Sequence, residues 1–167
     1  MRYVIAAILC AVFFVGDKSF LADPAASCWV KAFTYHFFHA NIFHLLANLL
    51  SIWFMFKAYP ARTNKKMLGQ LLIAFCIATL TYGISPRPVI GVSNILFAVI
   101  GLRSPAFNHP WWKSQSTLIF FGVTAFMLLF PQFAAITHIV SFLCGAAIAA
   151  LVRKVKELDY DLTRATR

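Results

Sequence analysis

The chain has 167 residues, of which 61% are hydrophobic and only 12% charged, against about 45–50% apolar in ordinary soluble domains. A water-soluble fold of this size has no interior large enough for that much apolar surface, so a soluble globular class is excluded and a bilayer is the expected solvent. The net charge of +10 does not mark a nucleic-acid surface, because Lys and Arg cluster at the ends of apolar runs and not in a basic patch with interleaved aromatics.

Six apolar runs follow one another, roughly at 3–16, 41–57, 67–84, 89–103, 115–130 and 133–152. They predict an all-α membrane protein, a compact bundle of six transmembrane helices in a single domain over 1–152, with a short charged tail at 153–167. The first run has a second reading as a signal peptide, with Arg2 ahead of it and Ala25-Ala26 behind, although no clean small-x-small site follows it closely. Several runs fall short of the roughly 20 residues that cross a bilayer. Helices of that length suit a bundle in which some do not face lipid throughout, and the shortest run, 89–103, is expected at the centre.

The connections are marked by composition. Residues 58–66 form a basic turn. Pro86 and Pro88 break the chain before the fourth run, since proline lacks a donor and restricts its predecessor. Residues 104–114 carry Pro105, Pro110 and the Trp111-Trp112 pair, which suits a membrane interface. Pro131 separates the last two runs. With the N-terminus inside, Lys18, Lys31 and Arg87 are the only outer cations and the other twelve lie on the inner side. That asymmetry predicts both termini in the cytoplasm. Cys10, Cys28, Cys76 and Cys144 contain no CxxC pair, and packing is the expected role of all four, with Cys28 also readable as a lone outer thiol.

Polar groups inside apolar runs are costly and mark function by default. The first cluster is His36, His39, His44 and Asn48. His44 and Asn48 are four apart and share a helix face, where two donors can meet a developing oxyanion or bond to a neighbouring helix. The second is Gly91-Val92-Ser93-Asn94, after the proline break. A serine there is a helix cap or a nucleophile at a helix N-terminus, whose free N–H groups favour negative charge. The third is His138, which either packs against a backbone carbonyl or takes a proton from a hydroxyl. In the inward-running second, fourth and sixth helices, helical rise places all three sites at one level, about a turn below the outer surface.

Absences narrow the chemistry. No glutamate precedes Glu157 and the only aspartates before the tail are Asp17 and Asp23. An HExxH zinc site and an intramembrane aspartyl dyad are therefore excluded. A histidine-ligated haem or metal has no ligand set of suitable spacing, so no cofactor is expected. A Ser–His dyad without Asp is what remains for hydrolysis.

Phe33-Thr34, His39, His44 and Asn48 resemble the loop-one-to-helix-two signature HxxxxHxxxN of rhomboid intramembrane serine proteases. Gly91-Val92-Ser93 resembles the GxS around that family's nucleophile, with Ala98 and Gly101 at the later helix positions, and His138 with Gly145 resembles its sixth-helix HxxxxxxG. The resemblance spans residue 33 to about 150, in order, and matches the small bacterial six-helix form. It implies Ser93 as nucleophile and His138 as general base, with His44, Asn48 and the Ser93 amide binding the oxyanion. His39, Gly91, Phe97 and Gly145 would support them, Phe97 standing where relatives often stack a tyrosine on the imidazole. The implied substrates are single-pass or multi-pass membrane proteins cleaved near the outer face, the implied location is the bacterial inner membrane, and the lipid bilayer is the other partner.

Two positions depart from the family pattern. Asn94 stands where a glycine usually follows the serine, and Ser141 where a glycine usually lies three residues after the histidine. Larger residues there imply either a wider Ser93–His138 gap or a hydrogen bond between Asn94 and Ser141. They also carry the alternative function, a catalytically silent rhomboid-like protein that binds transmembrane helices as a chaperone or scaffold.

Overall fold

The computed structural model describes residues 2–17, 19, 27–58, 64–84, 89–103 and 135–165. Every regular element among them is helical: α1 (Arg2–Val15), α2 (Cys28–Thr34), α3 (Ile42–Ala58), α4 (Asn64–Thr81), α5 (Ser93–Arg103) and α6 (Ala135–Ala165), with 3-10 turns at Tyr35–Phe37 and Tyr82–Ile84. The apolar run expected at 115–130 lies outside the described residues.

Two helical stretches are long and apolar enough to cross a bilayer alone, Lys65–Ile84 and Ala135–Arg164. Cys28–Phe37 and Ile42–Phe56 meet at a 74° bend and make a third if taken as one broken span. The described residues therefore carry two or three clear spans where the sequence suggests more. The reason is length: α1 has 14 residues and α5 has 11, and at about 1.5 Å per residue both stop short of a hydrocarbon core of roughly 30 Å.

The short helix α5 can afford that length because protein surrounds it. Ser93 through Val99 and Gly101 are all buried. It packs chiefly on α6 and next on α4, while α1 leans on α3. Helices α5 and α6 run in the same direction and touch backbone to backbone. A Cβ on Gly101 would strike the Phe142 carbonyl and lie 3.0 Å from the Ala146 nitrogen; one on Gly145 would strike the Ala98 carbonyl and lie 2.9 Å from the Leu102 nitrogen. The end of α5 is pinned to α4 by Arg103, whose Nε and terminal nitrogen donate to Gln70 Oε1 at 2.9 and 2.7 Å. The outer faces are apolar, with Phe43 78% and Leu80 71% exposed, as lipid-facing side chains should be.

One sequence expectation is corrected. Cys76 and Cys28 are exposed, and only Cys10 and Cys144 are half-buried against the core; Cys76 lies on the outer face of α4, so packing does not describe all four thiols. The connection between the first two apolar runs contains α2, too short to register as an apolar run but anchored by buried Ala32 and by Phe33 against Phe75. Helix α6 runs on through the charged tail to Ala165, by way of Arg, Lys, Glu and Leu residues that favour helix.

Candidate active site

The geometry of the site begins at the bend before α3. The Asn41 side chain caps the helix, its Oδ1 accepting from the His44 N–H at 2.9 Å. The Ala40 N–H donates to His44 Nδ1 at 3.4 Å. An imidazole that accepts at Nδ1 keeps its proton on Nε2 when neutral, so the free nitrogen of His44 is a donor. Asn48 is one turn further along the same face. It is buried, and its Nδ2 has no hydrogen-bond partner among the described residues.

Gly91 brings the next segment onto that face. Its φ of +107° belongs to a region that only glycine enters freely. There is also no room for a side chain: a Cβ would lie 2.8 Å from His44 Cε1, 3.0 Å from His44 Nε2 and 3.2 Å from Asn48 Nδ2. The Gly91 N–H donates to the Tyr35 carbonyl at 2.9 Å, which fixes the approach to α5.

Two residues later Ser93 opens α5. Its Oγ is 2.8 Å from His138 Nε2 on the first turn of α6, and both residues are buried. The hydroxyl therefore serves the imidazole and not a helix cap. Ser93 is the first helical residue, so its own N–H has no acceptor within the helix. The Phe97 ring, one turn on, lies 4.6 Å from the His138 ring at an interplanar angle of 31°, a tilted stack that fixes the plane of the imidazole. His138 Nδ1 is buried and has no partner among the described residues. The starts of α3, α5 and α6 thus bring near one another a hydroxyl, an imidazole acceptor and two side-chain donors, groups of the kind that acyl transfer uses.

The other histidines stand apart from this set. His36 Nε2 pairs with Thr79 Oγ1 at 3.1 Å, and its ring lies between those of Tyr35 and Phe75. His39 is fully buried and meets the His44 ring edge-on at 5.2 Å, where it supports the capped turn. Among the described residues no three side chains of metal-ligating type converge.

A model of the Rhomboid domain matches residues 26–155. The chain belongs to the rhomboid family. No curated protein matches it closely enough to add a relative. As a rhomboid with apolar helices it is an integral membrane protein. His44, Asn48, Gly91, Ser93 and His138 stand together at one end of the α3, α5 and α6 set, while Ala98, Gly101 and Gly145 meet further along the α5–α6 seam.

The two departures from the rhomboid pattern neither widen the gap nor bond to each other. Asn94 Nδ2 donates to Tyr35 Oη at 3.0 Å, and its Oδ1 accepts from Thr137 Oγ1 at 3.2 Å. Ser141 Oγ is instead 3.0 Å from Thr81 Oγ1. Sequence reading missed Tyr35, Thr81 and Thr137 at this site. All three are hydroxyl side chains within or beside apolar runs, and all three are buried. That combination is the signal that finds them, since a buried hydroxyl needs a partner.

Proposed function

We propose that this rhomboid is an intramembrane serine endopeptidase that cleaves transmembrane-helix substrates near the outer membrane face through Ser93 and His138. The observation that carries the reading is the buried 2.8 Å contact between Ser93 Oγ and His138 Nε2 at the start of α5. It is supported by Asn48 Nδ2, a buried donor without a partner beside Gly91.

The reaction follows from those atoms. A substrate helix unwinds locally and presents a peptide carbonyl to Ser93. Oγ forms a bond to the carbonyl carbon as its proton passes to His138 Nε2. The negative oxygen is met by Asn48 Nδ2, His44 Nε2–H and the Ser93 N–H, donors set in place before charge develops. The C–N bond then breaks and His138 returns the proton to the leaving amine. Water attacks the acyl-enzyme carbon, giving a proton to His138; the bond from that carbon to Oγ then breaks, His138 returns the proton to Ser93 Oγ, and the second product leaves as a carboxylic acid. His39, Gly91, Phe97 and Gly145 hold this set without touching substrate. The one transmembrane domain is assigned to 1–152 in a bacterial inner membrane; both termini are assigned to the cytoplasm, as the Lys and Arg distribution favours.

The experiment is labelling of purified protein with a fluorophosphonate serine probe, beside Ser93→Ala and His138→Ala variants of matched melting temperature. Labelling of the wild type alone is expected. One observation favours a second reading, a silent helix-binding rhomboid: no partner among the described residues orients His138 Nδ1. A folded wild type that takes no probe while still capturing membrane-protein clients would establish that second reading.

A further inference from the structure

The Ser93–His138 contact is not the only bond between the first turns of α5 and α6. The next residue along α5 is Asn94, and the residue before His138 on α6 is Thr137. They make a second rung beside the first, with Thr137 Oγ1 donating to Asn94 Oδ1 at 3.2 Å. One contact between two helix ends leaves them free to pivot about it; two adjacent contacts fix their rotation.

The second rung is held from behind. Asn94 Nδ2 donates to Tyr35 Oη, and Tyr35 Oη donates to the Ala78 carbonyl of α4 at 2.9 Å. Because the phenol proton is committed to that carbonyl, Tyr35 can only accept from Asn94. The amide is thereby oriented, with Oδ1 facing Thr137. The Tyr35 carbonyl meanwhile takes the Gly91 N–H, so one residue grips the chain on both sides of Ser93. The same Ala78 carbonyl also accepts from Thr81 Oγ1 at 3.0 Å. Thr81 therefore accepts from Ser141 Oγ, its 3.0 Å partner. Two branches leave one carbonyl and end on α6 at Thr137 and Ser141, four residues apart on one face. Tyr35, Asn94, Thr137 and Ser141 are all fully buried, where a complete polar network is rigid and a broken one is costly.

We propose that Asn94 is a positioning residue for the dyad: by fastening Thr137 to Tyr35 it holds Ser93 Oγ and His138 Nε2 at hydrogen-bonding distance, and Ser141 completes the same brace. The inference rests on the dyad reading above and extends it. The two departures from the family's small residues then form one device, in which hydrogen bonds set a helix spacing that glycines would set by contact. Neither residue touches substrate.

Two near-isosteric changes test it. Asn94→Asp keeps the volume but as a carboxylate has no donor for Tyr35; Thr137→Val removes the rung hydroxyl at nearly equal volume, and Thr137→Ser restores it. Fluorophosphonate inactivation is measured at saturating probe, and the 15N signal of His138 Nε2 is recorded beside that of Ser93→Ala, which marks the lost dyad bond. The expected result is inactivation slowed by about tenfold or more in Asn94→Asp and Thr137→Val, as for a catalytic group misplaced by a fraction of an ångström. Their Nε2 signals should move toward the Ser93→Ala position, and Thr137→Ser should behave as wild type. Wild-type rates and an unmoved Nε2 signal in a folded Thr137→Val would overturn the inference while leaving the hydrolase reading intact, and this variant decides if Asn94→Asp does not fold. A wild type that takes no probe overturns the hydrolase reading, and the Nε2 comparison alone then decides whether Asn94 sets the contact.

Discussion

The first turns of α5 and α6 and the turns that follow are joined by opposite means. At the start the helices are bonded through side chains, Ser93 to His138 and Asn94 to Thr137. Further along they are joined by the absence of side chains, with Gly101 on the Phe142 carbonyl and Gly145 on the Ala98 carbonyl. The comparison teaches where adjustability lies. A seam of backbone against backbone tolerates no added atom, because a packed interior has no slack. A seam of hydrogen bonds tolerates exchange of partners provided each donor finds an acceptor.

The comparison can be broken at four places beyond the dyad. Ser93→Ala should lower probe labelling and cleavage by at least about 10³-fold, the scale for removing a nucleophile, with an unchanged melting temperature. Asn48→Leu should lower the cleavage rate by about 10²-fold, as for one oxyanion donor. Its stability should stay level or rise, because a buried unpaired amide is removed; a fall in melting temperature together with full activity would assign Asn48 to the fold. Gly91→Ala should cost about 1–3 kcal/mol from its positive φ and displace the His44 ring, so labelling should fall further than stability does. Gly145→Ala should cost a comparable 1–3 kcal/mol by overpacking, and because it pushes α6 away from α5 labelling should again fall further than the folded fraction, though less than in Gly91→Ala, a contrast read by assaying both variants well below their melting temperatures. The smallest effect is at Phe97→Leu, where loss of the tilted stack on His138 is worth about 1 kcal/mol, seen as a few-fold slower labelling.

Much of this site is legible in the sequence because a membrane makes polar residues conspicuous. His44, Asn48, Ser93 and His138 stand out in runs of Leu, Ile and Phe, and helical rise alone predicts one level for them. Gly91 is legible as a motif residue, but its reason, a His44 ring 2.8 Å from where a Cβ would be, is a tertiary fact. Tyr35 was hidden because tyrosine reads as apolar in a hydrophobic count, yet its hydroxyl and its carbonyl both serve the start of α5. The partners of Asn94 and Ser141 were hidden for a related reason: each has several hydroxyls within reach, and only the folded arrangement selects Tyr35 and Thr137 for one and Thr81 for the other. The continuation of α6 to Ala165 was obscured because a change from apolar to charged residues marks the edge of a membrane and not the end of a helix.

That continuation makes α6 a lever. From His138 to Ala165 is about 40 Å of helix at 1.5 Å per residue, with the dyad at its near end. A tilt of about 10° that scarcely moves the His138 imidazole carries the far end through about 7 Å on the same rise. A spectroscopic label near Arg164 is thus a magnified readout of how the two helices seat on each other, at a distance where it cannot touch the chemistry.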